Sequence, residues 1–223
     1  TVGPQVMAAM AMALRVVVPP HPLLNHWLTV LRDQHTPTPL YATAMAELGR
    51  WLSYEALRDW LPHRDISIET SNGPAQGQIV DASVPLLATL ALPAAMGLWQ
   101  GAQAVLPSAQ LGSVALEGAT LRLVNLPQPI SASTGVLLFW SALADPEPLL
   151  VVLDHLAQQG VAGQRLRLIT AVAAAPALHE IGERHEALTI YTAAIDPDLD
   201  EAGQIRPGIG DVSSRLLGFA SSH

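Results

Sequence analysis

The chain has 223 residues, half of them apolar and 13% charged, which is enough to build one hydrophobic core and too apolar for a disordered chain. Its net charge is -8, every basic side chain is Arg, and the Arg residues are not clustered; this excludes the phosphate-tracking surface of a nucleic-acid binder. There is no Cys, so disulfides and thiolate metal sites are excluded, and a reducing cytoplasm is the expected compartment. No run of about 18 apolar residues is present to span a membrane.

Residues 1–14 are rich in Ala and Met. They lack the basic start of a signal peptide, and a flexible N-terminal extension is expected, with one domain over 15–223. Arg15-Val16-Val17-Val18 is β-branched and predicts a strand stopped by Pro19-Pro20. From His21 to Asp33 the spacing of Leu24, Leu28 and Leu31 predicts a helix. His21 and His26 lie five apart and so off one helical face, which argues against a metal pair. A second helix is predicted over 36–61, opened by Pro37 and Pro39, with Ala44, Leu48, Trp51, Leu52 and Ala56 as its apolar face. Glu55, Arg58 and Asp59 suit ion pairing on its surface. Ile66, Ile68 and Thr70 alternate as in an exposed strand before the Ser71-Asn72-Gly73-Pro74 turn.

The run from Ser83 to Leu92 is apolar throughout and ends at Pro93, as a strand buried on both faces does. A hairpin with a tight turn near Gly118 is predicted between Leu111 and Leu126. Val136-Leu137-Leu138-Phe139 is the next strand. Asp145-Pro146-Glu147 then forms a helix start, with a capping side chain, Pro at the first position and an acid in the first turn. That helix closes at Gly160. A buried strand over 165–175 and a short helix over 176–185 follow; His179, Glu180, Glu183 and His185 on the latter have the spacing of a solvated face, not of a metal site. Strands alternating with helices predict an α/β fold with a mostly parallel sheet, whose ligands sit at the carboxyl ends of the strands.

Near the end, Ile190 to Asp196 forms a strand closed by a carboxylate. Ile205-Arg206-Pro207-Gly208-Ile209-Gly210-Asp211 then makes a loop able to present its own N–H and C=O groups to a small planar molecule. This run resembles the uracil-binding region of uracil phosphoribosyltransferases, and His21-Pro22-Leu23-Leu24-Asn25-His26-Trp27-Leu28-Thr29 with Arg32-Asp33 resembles the same family's opening motif. The resemblance covers about residues 15 to 219. It implies a phosphoribosyltransferase-like fold: a mostly parallel central sheet flanked by helices, with a hairpin arm that is shortened here at 111–126. It also implies that Ile205, Pro207, Gly208, Ile209, Gly210 and Asp211 hold the base.

Three departures from the family pattern lie between these motifs. An Arg of the family is Pro93, its acidic residue before the phosphate loop is Trp140, and its Thr-Gly-Gly is Asp145-Pro146-Glu147. Two prolines remove donors and two carboxylates repel a phosphate. From these departures the expectation is a relative without catalytic residues, metal or cofactor. Such a protein would act as a uracil or nucleotide binder or as a structural subunit, alone or in a larger assembly. The alternative is an active enzyme making UMP from uracil and phosphoribosyl pyrophosphate with Mg²⁺. The resemblance further implies a homodimer, which the mean hydropathy of +0.31 suits.

Overall fold

The computed structural model describes residues 14–106 and 108–218; the extension expected at 1–14 falls, but for Leu14, outside them. In chain order the elements are β1 (Arg15–Val17), α1 (Pro22–Arg32), α2 (Thr38–Leu57), β2 (His63–Thr70), β3 (Gly73–Val80), β4 (Leu86–Leu92), α3 (Met96–Ala102), β5 (Gln110–Glu117) and β6 (Thr120–Asn125). Then come β7 (Gly135–Trp140), α4 (Pro146–Gln158), a 3-10 turn, β8 (Leu166–Ala174), α5 (Ala175–Arg184), β9 (Thr189–Asp196), β10 (Asp198–Leu199), β11 (Ile205–Arg206) and α6 (Val212–Leu217).

Seven strands form one sheet in the order β1-β9-β8-β7-β4-β5-β6. Every pairing in it is parallel except β5 with β6. The strands that read as unbroken apolar runs are the central ones: β7 is buried along nearly its whole length and β8 along all of it. Helices cover both faces because both faces are apolar. On one side α1, α2 and α3 enclose a core that includes Leu24, Tyr41, Leu48, Leu98, Phe139 and Tyr191. On the other, α4 and α5 pack Leu150, Leu153 and Ile181 over Leu138, Leu168 and Ile190.

Two glycines let α2 and α3 approach backbone to backbone. A Cβ on Gly49 would stand 1.9 Å from the Leu98 carbonyl oxygen, and one on Gly101 1.7 Å from that of Ala46.

The hairpin read at 111–126 is present as β5 and β6 with Gly118 at its turn (φ 57°), but it is not an arm. It forms the edge of the main sheet because β5 runs parallel to β4 over six residue pairs. The freestanding hairpin is β2–β3, paired from His63↔Val80 to Thr70↔Gly73. Its alternating, mostly polar strands bury little, and nothing in their pattern would draw them into the core. Asp59 departs from its expected place in a surface pair: it meets Arg167 of β8 at 2.9 Å, while Arg58 alone pairs with Glu55.

Candidate active site

The parallel strands deliver their carboxyl ends to one side of the sheet, and the chain between β9 and α6 folds over that side. Asp196, the last residue of β9, is 3% exposed. Its two oxygens accept from Nη2 and Nη1 of Arg32 at 2.6 and 2.8 Å. Oδ2 also accepts the backbone N–H of Gly208 at 2.8 Å, and Arg32 Nη1 donates to the Gly208 carbonyl at 2.9 Å. Both main-chain groups of Gly208 are thus held by one ion pair between α1 and β9. Gly208 has φ 63°, and a Cβ there would lie 2.2 Å from the Ile205 carbonyl oxygen, so only Gly can make this turn.

The next residue is fixed from the other direction. The Ile209 carbonyl accepts from the Tyr41 hydroxyl at 3.2 Å and from Arg215 Nη1 at 2.9 Å. Arg215 also donates to the carbonyls of Leu31 and Asp33 at the end of α1, and its guanidinium lies 4.2 Å from the Tyr41 ring centroid. Burial pushes the Tyr41 phenol well above its ordinary range, so it remains a donor throughout the physiological pH range. Asp211 closes the loop as the cap of α6: Oδ1 accepts from the Ser213 N–H at 3.0 Å and Oδ2 from the Ser214 hydroxyl at 2.7 Å. Its carboxylate is spent on the helix, so Asp211 shapes the base loop instead of offering its side chain.

The Ile209 and Asp211 N–H groups have no partner among the described residues, and Gly210 has both of its main-chain groups in that state. At φ 74° it borders a cavity of about 180 Å³ with Ile205, Ile209 and Asp211 on one wall and Ser141, Ala142 and Ala144 on the other. The expected base residues therefore come together, with divided roles. Gly208 and the Ile209 carbonyl are pinned, Pro207 follows the cis Arg206–Pro207 bond, Ile205 is paired in β11 with Leu199, and Gly210 presents a free donor and a free acceptor on one residue. Sequence reasoning placed Arg32 in the opening motif but did not assign Arg32, Tyr41 and Arg215 as supports of this loop, because that role depends on contacts between elements far apart in the chain.

A second cavity, about 190 Å³, adjoins the first through Ser141 and Ser213 and is lined by Pro93, Ala94, Trp140 and Pro148. This is where the phosphate side of the family pattern would lie. Residues 141–144 do not turn into a cradle of backbone donors; they continue alongside β8, with the Leu143 N–H donating to Val172 and its carbonyl accepting from Ala174. Asp145 caps α4 by accepting the Glu147 N–H at 3.0 Å, and Pro146 stands at the first position. The helix start expected there is observed.

Residues 18–218 match the family described as Uracil phosphoribosyltransferase. The Uracil phosphoribosyltransferase of Synechococcus elongatus is 43% identical over 215 residues, covering 94% of this chain and 99% of that one. The chloroplastic Uracil phosphoribosyltransferase of Arabidopsis thaliana is 37% identical, covering 91% and 71%. Among solved structures, the AQ2163 protein from Aquifex aeolicus superposes with a TM-score of 0.82 at 25% identity, covering 93% of this chain and 100% of that one. These relatives correct the expectation of a protein that has lost catalysis, since at 37–43% identity they carry the enzyme's name. That expectation weighed the charge and backbone donors lost at Pro93, Trp140 and Asp145-Pro146-Glu147, and the repulsion of a phosphate by Asp145 and Glu147. In the fold the Asp145 carboxylate is turned onto its own helix and partly neutralised by the N–H it accepts.

Proposed function

Because the chain belongs to the uracil phosphoribosyltransferase family, we propose that it transfers phosphoribose from phosphoribosyl pyrophosphate to uracil, giving UMP and pyrophosphate. The observation that carries this reading is Gly210, whose N–H and C=O are both without a partner among the described residues and border the cavity, in a loop held by the Gly208 main chain and the Ile209 carbonyl. One donor beside one acceptor complements the alternating C=O and N–H edge of uracil. Each such hydrogen bond contributes about 0.5–1.5 kcal/mol net, so recognition rests on a loop that is already rigid before the base arrives. The ring lies between the loop and Ser141-Ala142, with its N1 toward the second cavity. There the N1–C1′ bond forms, the C1′–O bond to pyrophosphate breaks, and the N1 proton is released. The chain's part in this is to fix the base in line with C1′ and to keep water from the slot.

Among the described residues no group of three or more His, Cys, Asp or Glu could hold a metal. The Mg²⁺ is written here as a component of the Mg²⁺–phosphoribosyl pyrophosphate donor. We also propose a homodimer, supported by the apolar Ile68, Ile79 and Val80 exposed on the freestanding hairpin. A cytoplasmic location is proposed from the absence of Cys; no described helix is long and apolar enough to cross a membrane.

The test is UMP formation from labelled uracil, phosphoribosyl pyrophosphate and Mg²⁺. Turnover within about 1–10³ per second is expected. Purified protein giving no UMP above the protein-free control would overturn the reading.

A further inference from the structure

A cavity of about 670 Å³ lies at the opposite end of the sheet from the base loop. It opens where β1, β9, β8, β7 and β4 begin. Parallel register sets Arg15 beside Thr189, and Thr189 beside Arg167. Two residues further along each strand, Val17, Tyr191 and Ile169 belong to the core beneath α2, so by the two-residue period these three side chains stand on that same face. With strands about 4.8 Å apart, the two Arg Cα atoms are about 10 Å from each other with a hydroxyl between them.

Arg167 is 9% exposed. Its Nη1 donates to the Ala56 carbonyl, to Asp59 at 2.9 Å and to the Tyr191 hydroxyl at 3.2 Å. Its guanidinium lies 4.9 Å from the Trp60 ring centroid and 5.7 Å from that of Tyr191. This anchoring uses one nitrogen. Among the described residues Nε and Nη2 have no partner, nor does the Arg15 guanidinium or the Thr189 hydroxyl. Arg165 lines the same cavity, and although its donors go to the carbonyls of Ser131, Thr134 and Gly160, its charge remains. Against these three cations stand Glu186 and Asp59, the latter already paired with Arg167. Three of the chain's 11 basic residues thus meet in one concavity of a protein whose net charge is -8.

We propose that this cavity binds an organic phosphate of about nucleotide size, with the phosphoryl group held between Arg15 and Arg167 and the Thr189 hydroxyl donating to it. Guanidinium groups with unused parallel donors are suited to phosphate oxygens. The volume exceeds what a bare anion fills and falls in the range of small-molecule sites, about 300–1,000 Å³. Trp60, Val84 and Leu86 supply the apolar wall for the organic part. The site is separate from the uracil cleft and does not depend on the activity proposed above.

The test is a nuclear magnetic resonance titration of the ¹⁵N-labelled full chain with adenosine 5′-monophosphate, ribose 5-phosphate, inorganic phosphate and adenosine. The nucleotide should shift the Thr189 and Gly135 amides and the Trp60 indole N–H. Ribose 5-phosphate should follow more weakly, and inorganic phosphate and adenosine at least tenfold more weakly than the nucleotide. Arg15→Gln alters an exposed side chain outside both the core and the uracil cleft. It should leave the melting temperature unchanged and weaken these shifts at least tenfold. Absence of the Thr189 and Trp60 shifts at millimolar nucleotide would overturn the proposal, as would unchanged binding in Arg15→Gln. Inorganic phosphate or adenosine binding as tightly as the nucleotide would also overturn it.

Discussion

Arg32 and Asp196 meet in a two-pronged pair, 2.6 and 2.8 Å long, that joins the end of α1 to the end of β9 and holds both main-chain groups of Gly208 between them. The side chains are 24% and 5% exposed, so the pair sits at the edge of the core. Removing Arg32 leaves Asp196 buried without its partner, and an unpaired buried charge costs about 3–5 kcal/mol. Arg32→Ala should lower stability by about that amount in urea unfolding and raise the uracil KM at least tenfold. Arg32→Lys should recover part of the stability but less of the KM, since an ammonium cannot bridge both carboxylate oxygens and the Gly208 carbonyl in one plane.

Gly210 should be intolerant of any side chain. At φ 74° a Cβ would also stand 3.0 Å from Arg215 Cδ, displacing the arginine that holds Ile209. The left-handed conformation alone costs an L-residue roughly 1–2 kcal/mol. Gly210→Val should abolish UMP formation, while circular dichroism still reports a folded α/β protein. Activity retained within twofold would show that the base is not held at this residue.

Gly49→Ala tests the helix layer, away from the cleft. Its Cβ would overlap the Leu98 carbonyl, so α3 must move off α2 or tilt. Overpacking of this kind costs about 1–3 kcal/mol and more when backbone must shift. A loss of at least 3 kcal/mol in chemical denaturation is expected, with the same change at half-buried Gly77 of the freestanding hairpin, where a Cβ meets nothing within 4 Å, serving as the neutral comparison.

His185 makes stability depend on pH. Burial holds its pKa below the ordinary histidine value, outweighing the opposing pull of Asp154. The unfolded chain therefore takes up a proton near pH 6.5 while the folded chain still resists it. The stability contributed by neutral His185 is present above about pH 6.5 and is lost as pH falls from there through the lower folded value. Urea midpoints measured from pH 8 to pH 5 should decline, and His185→Gln should flatten that decline.

Assembly is checked by light scattering. The exposed Ile68, Ile79 and Val80 of the freestanding hairpin should be covered in a dimer, giving a mass near twice 23.6 kDa at micromolar concentration. Replacing all three with Thr should return the mass to that of one chain.

Much of the architecture could be read from residue pattern alone. Unbroken apolar runs marked the central strands β4, β7 and β8. Apolar spacing marked α1 and α2, and Asp145-Pro146 marked the start of α4, because burial on two faces, burial on one face and capping each leave a local signature. The base loop was legible for the same reason: Pro207, Gly208 and Gly210 are residues that a specific backbone path requires. What tertiary structure decided was which polar groups remain free. Arg32 reaches Asp196 across 164 residues and Arg167 reaches Ala56 across 111, and no local pattern encodes such a partner. Packing assigned Asp211 to capping, left the Gly210 main chain open, and placed β5–β6 in the sheet while β2–β3 stood apart. It also set Arg15 and Arg167 on either side of Thr189, a neighbourhood created by strand order, which sequence alone does not state.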